Sequence, residues 1–230
     1  MKIRKREIFP NILALTFEDN YELAMSFIRI QEFYESPKFK NEYFTLEDFI
    51  DYWVKDFGNG VFDYPKRWSG FNVPGSVVLQ WMEKFDYDNS DDIRQKEKEL
   101  IKKILSQYKR EDLNDVYIIG VAKGKNKKRI VDHEVAHALY LLNPEYKDEC
   151  DKIISELKSN SFGRAFYDRI ADKLVKQGYH EDVVEDEMQA YWSTPAATDK
   201  YLYSQFKELR DLVENYKSYR KNPHKNIDSK

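Results

Sequence analysis

The chain has 230 residues, enough for one domain or two modest ones with a buried core. Hydrophobic residues make up 41% and charged residues 34%, a globular composition that excludes a wholly disordered chain. The formal net charge of -3 supplies no basic field for nucleic acid, and no apolar run approaches the ~20 residues of a bilayer-crossing helix.

A single cysteine, Cys150, rules out an internal disulfide framework and suits a reducing compartment. The basic start at residues 1–6, followed by the apolar stretch 8–17, imitates a signal peptide. Pro10 and Asn11 interrupt that stretch, and Glu18 and Asp19 stand where a small-residue cleavage site belongs. The expected location is therefore cytoplasmic.

In chain order, residues 21–35 have helical spacing, with Leu23, Phe27, Ile28, Ile30 and Phe33 on one face. Thr45 reads as an N-cap for a second helix running to about residue 54. The glycines and prolines of 57–75 predict an irregular but ordered stretch, packed by Phe62, Tyr64, Trp68 and Phe71. Its end, 68–75, reads either as a structural turn cluster or as a loop lining a cleft. Residues 90–108 form a charged amphipathic helix with Ile93, Leu100, Ile101, Ile104 and Leu105 inward.

The β-branched run 116–122 is the clearest strand in the chain. A basic turn at 124–129 follows, and then helices over 132–142, 145–159, 162–177, 182–192 and 199–218. Asn143-Pro144 and Gly178 mark helix ends, and Pro195 follows the fourth of these helices. The pattern predicts an α+β, mostly helical fold. It divides into an aromatic-rich helical part at 1–110, a core at 111–220 and a polar tail at 221–230, the first two packed with a cleft between them.

The chemistry is concentrated in Asp132-His133-Glu134-Val135-Ala136-His137. His-Glu-x-x-His places two imidazoles one helical turn apart on one face, so both can reach one zinc ion at about 2.0–2.1 Å. Glu134 stands beside the ion, placed to take a proton from an activated water and return it to a leaving amine. The other face of the helix, with Val131, Val135, Ala138, Leu139 and Leu142, is apolar and can anchor in a core. The chain holds 4 histidines, so chance alone makes this spacing a rare event. There is no phosphate-binding glycine loop, no paired Cys-x-x-Cys and no nucleophile elbow.

A catalytic zinc needs a third protein ligand and an open position. The metzincin pattern puts a histidine six residues after His137. That position is Asn143, and the glycine the pattern needs is Tyr140, so metzincin is excluded. The segment 183–192 instead contains Glu187-Met188-Gln189-Ala190, with Glu187 sharing a face with Val183, Val184, Ala190 and Tyr191. Here the chain resembles the gluzincin metallopeptidases, whose third ligand is a glutamate in a Glu-x-x-Ala pattern on a second helix. The resemblance covers the strand at 116–122 and the helices at 132–142 and 182–192.

It implies a zincin-like core, zinc held by His133, His137 and Glu187, and a peptide or protein as the bound partner; charge and hydropathy add the expectation of neither nucleic acid nor membrane. Glu185 and His180 stand behind Glu187 as candidate third ligands. Several gluzincin families place an aspartate after the alanine to orient an imidazole. This chain has Tyr191 there, so either that hydroxyl or an acid elsewhere must serve. The family also stabilises the oxyanion with a tyrosine or histidine, for which Tyr191, His180, Tyr140 and Tyr146 are candidates. The resemblance lets residues 117–121 be either a cleft-edge strand that pairs with substrate or an ordinary core strand. The alternatives to a peptidase are an amide hydrolase of another kind using the same site, and an inactive metal-binding interaction protein.

Overall fold

A computed structural model describes residues 2–124, 127–196 and 200–221. The tip of the basic turn at 124–129, the first residue of the helix expected at 199–218, and 222–230 of the polar tail lie outside the described residues.

The stretch 8–17 folds as the end of one strand, a turn and a second strand. β1 (Arg4–Phe9) pairs antiparallel with β2 (Ile12–Phe17), and Asn11 takes φ 65° in the turn, a conformation asparagine tolerates better than most residues. β3 (Gly70–Pro74) lies within the segment expected to be irregular, preceded there by a single helical turn, α3 (Tyr64–Arg67). β4 (Tyr117–Ala122) is the strand legible in the sequence. The sheet order is β1-β2-β4-β3, with β4 parallel to β2 and antiparallel to β3.

All six residues of β4 are buried, and both of its edges are hydrogen-bonded. The reading of 117–121 as a cleft edge that pairs with substrate is therefore overturned. An unbroken apolar run without alternation is the mark of a strand covered on both faces.

α1 (Asn20–Glu35) lies directly on this sheet. Asp19 caps it by accepting from Glu22 N at 2.8 Å, and its apolar face is buried. Gly120 makes the approach possible: a Cβ there would stand 2.5 Å from Phe27 Cε2. α2 (Leu46–Asp56) starts at Thr45 with a capping box to Asp48. α4 (Gly75–Lys84) begins where β3 ends, with Gly75 N donating to Val116 O at 2.7 Å. α5 (Gln95–Leu105) is shorter than the helix expected at 90–108. The residues before it are drawn to the buried Arg29, whose guanidinium bonds Glu97 and both the carboxylate and carbonyl of Asp92.

The chain divides into two compact units between Val131 and Asp132, later than the boundary near 110 expected from the sequence. The strand grouped there with the downstream helices belongs to the first unit, because its hydrogen bonds run to β2 and β3.

The second unit is helical. It takes the later part of α6 (Lys127–Leu142), then α7 (Pro144–Lys158), α8 (Ser161–Lys176), α9 (Val184–Ser193), α10 (Lys200–Gln205) and α11 (Lys207–Lys221). α11 packs along α7 and α9, and α8 packs against both. Their shared core includes Tyr146, Ile154, Leu174, Met188, Leu209 and Leu212. The two stops are in place: Asn143 caps α7 by accepting from Tyr146 N, and Gly178 follows α8 at φ 103°. The single helix expected at 199–218 is broken at Phe206. That ring is buried between Phe162 and Phe166, and Arg210 takes up the carbonyls of Tyr203 and Phe206. Among the described residues no helix is long and apolar enough to cross a membrane.

Candidate metal centre

α6 carries the His-Glu-x-x-His segment, and every residue from Glu134 to Tyr140 is buried. A helix buried nearly all round keeps one rotation, so the pair at i and i+4 has a fixed direction. His133 and His137 Nε2 stand 3.3 Å apart, with ring centroids at 4.9 Å. α11 holds the start of the segment: Tyr216 donates to the Asp132 carbonyl at 2.9 Å, and Arg220 Nε lies 3.3 Å from its carboxylate.

α9 brings the carboxylate. It follows a single 3-10 turn at Glu181–Val183 and buries Val184, Met188 and Trp192, which fixes its roll. Ala190 is fully buried, as close helix packing requires. Glu187 is 4% exposed; its Oε1 lies 3.7 Å from His137 Nε2 and its Oε2 lies 4.0 Å from His133 Nε2.

His133, His137 and Glu187 thus form a group that can hold a metal ion, with one donor atom from each within 4.8 Å of the others. Two observations test the fit. Donors on a tetrahedral shell of about 2.0–2.1 Å stand roughly 3.3–3.4 Å apart, which the imidazole pair matches and the carboxylate slightly exceeds. Glu187 Oε2 is also buried without a hydrogen-bond partner, a group whose unmet demand a cation would satisfy. Two imidazoles and one carboxylate are a donor set that divalent transition metals accept.

Burial pushes the Glu187 carboxyl up; His137 pulls it back, while Asp186 and Glu134 push it further up. For His137 burial disfavours the charged ring, yet Asp186 and Glu187 outweigh it and raise the pKa. Glu134 is 5% exposed, and its charge acts on both His137 and Glu187.

The other candidates separate cleanly. Glu185 is engaged away from the donors, accepting from Lys158 at 2.6 Å and Tyr167 at 3.0 Å. His180 Nδ1 accepts from Asp182 N at 3.2 Å and caps the 3-10 turn. The Tyr140 hydroxyl donates to Asp151, and that of Tyr146 donates to Gln189 at 3.0 Å. Tyr191 is the oxyanion candidate whose ring touches a donor, 4.6 Å from the His133 ring. It is 44% exposed, which corrects its expected place on the inward face of α9.

Sequence reasoning missed two groups. Asp186 Oδ1 lies 2.9 Å from His137 Nδ1, close in distance though not aligned as a hydrogen bond. Thr194 Oγ1 lies 3.5 Å from His133 Nδ1. The run Glu185-Asp186-Glu187 signalled an acid nearby without saying which one faced the rings.

Fold and site together define an α+β, mostly helical protein with a three-residue group able to bind a metal ion. Comparison with protein-family models, curated proteins and solved structures gives no match.

Proposed function

We propose that this chain is a zinc-dependent hydrolase, a gluzincin-like metallopeptidase that cleaves a peptide bond with Glu134 as general base and acid. The observation that carries the reading is the convergence of His133, His137 and Glu187 donor atoms from two helices, with Glu134 buried beside them. Zinc, when bound, supplies a positive charge that polarises the scissile carbonyl and acidifies water.

The chain's own residues do the rest. The two Nε2 atoms and the Glu187 carboxylate would hold the ion. The Glu134 carboxylate would take a proton from the water that attacks the scissile carbonyl and deliver it to the amine nitrogen as the C–N bond breaks. Tyr191, against His133, is the side chain best placed to donate to an oxyanion. The chain's single cysteine fits the proposed cytoplasmic location.

The test is zinc content and turnover in one set of proteins. Glu134→Gln should keep the metal of the wild type and lose at least about 100-fold in turnover on a peptide library, the usual weight of a general base. Full turnover in that variant removes the mechanism. Products from non-peptide amides alone would reassign the substrate class.

A further inference from the structure

An imidazole that serves a metal through one nitrogen is held in place through the other, which sets both the tautomer and the ring's direction. For His137 that second nitrogen, Nδ1, is buried and lies 2.9 Å from Asp186 Oδ1. The same oxygen accepts Gln189 Nε2 at 2.9 Å. Gln189 Oε1 in turn accepts the Tyr146 hydroxyl at 3.0 Å, and Ser193 Oγ stands 3.4 Å from that hydroxyl. Gln189, Tyr146 and Ser193 are all buried. The donors of Tyr146 and Gln189 are thus both spent in the direction of Asp186, which as a carboxylate can only accept.

A carboxylate oxygen 2.9 Å from Nδ1, though not aligned as a hydrogen bond, favours by its charge the proton on that nitrogen. The lone pair then sits on Nε2, the atom that faces His133 Nε2 at 3.3 Å and Glu187 Oε1 at 3.7 Å. α9 therefore delivers two consecutive acids with different tasks. Helical residues one apart point about 100° from each other, so Glu187 meets the front of the imidazole pair while Asp186 meets the back of His137.

We infer that Asp186 is the positioning residue of the metal centre, holding His137 through Nδ1 with Gln189 and Tyr146 braced behind it. It fills the role for which the gluzincin resemblance offers an aspartate after Ala190, where this chain has Tyr191. The inference rests on the metal reading above and assigns the carboxylate that serves that site.

The experiment measures zinc affinity by competition with a chromophoric chelator, and the visible absorption of the cobalt-substituted protein, for the wild type and three variants. Asp186→Ala should weaken zinc binding about 10–100-fold and alter the cobalt bands, the usual effect of losing such a partner. Asp186→Asn, equal in size but uncharged, should lose affinity with native helix content, and it carries the test should the alanine variant fail to fold. Asp186→Glu should recover part of the loss, which a merely space-filling role does not predict. Wild-type affinity and an unchanged cobalt spectrum in Asp186→Asn overturn the inference and leave the metal centre standing. A wild-type chain that takes up neither zinc nor cobalt overturns the metal centre itself, and this inference with it.

Discussion

Replacing Glu187 with Gln tells a metal ligand from a structural carboxylate, because it should move the metal-free and zinc-loaded proteins in opposite directions. Without a cation Glu187 burdens the fold. Its Oε2 is buried with no hydrogen-bond partner, and Asp186 and Glu134 add like charge that His137 offsets in part. An unsatisfied buried polar group costs about 1–3 kcal/mol, and more when charged. The amide keeps the shape and drops the charge that the carboxyl carries only above its raised pKa of about 8, so at pH 9 the metal-free variant should gain about 1–2 kcal/mol over the wild type.

Zinc at a hundred times its dissociation constant stabilises the wild type by about 2.7 kcal/mol, and a neutral amide in place of the anionic donor should forfeit most of that. The order of stabilities should therefore reverse between the two conditions. Urea unfolding followed by circular dichroism, once in chelator and once in excess zinc, reads both arms. A variant less stable than the wild type in chelator, yet equally stabilised by zinc, would make Glu187 an ordinary structural residue and refute the reasoning.

Two further outcomes concern the first unit. Burial pushes the Glu32 carboxyl from 4.5 up to about 7, against the pull of the Tyr64 hydroxyl at 2.7 Å. The folded state then holds a proton that the unfolded state releases, so stability falls as pH rises across that window. The ceiling is roughly 3 kcal/mol, and about 1–2 is expected because Glu32 keeps some contact with solvent. Glu32→Gln should flatten this slope in urea midpoints taken at pH 5 and 8, and an unchanged slope would refute the assignment. Gly120→Ala should cost about 1–3 kcal/mol by forcing a methyl group against Phe27, and Phe27→Leu should relieve part of it in a double-mutant cycle. Additive costs in that cycle would show that the two positions do not collide.

What the sequence alone determined was local. His133, Glu134 and His137 are one turn of one helix, so their spacing sufficed to bring the two rings within 3.3 Å. The cap at Thr45 and the stops at Asn143 and Gly178 were legible for the same reason, being short-range chemistry between neighbours. Strand pairing is not local. The β1–β2 hairpin passed as one interrupted apolar run, and β4 gained its second neighbour from a segment rich in turn formers.

The second half of the site shows most sharply where sequence stops. Glu185, Asp186 and Glu187 are three adjacent acids, and although the Glu-x-x-Ala pattern picked out Glu187, nothing in their order said that Asp186 would face His137. Each step along a helix turns the side chain by about 100°, so one goes to Lys158, one to His137 Nδ1 and one to the paired Nε2 atoms. That allotment is set by the roll of α9, and the roll is set by burying Val184, Met188 and Trp192 against neighbouring elements. Packing between distant segments sent Asp186 to His137 and Glu185 to Lys158, which is why those two placements were decided only in the folded protein.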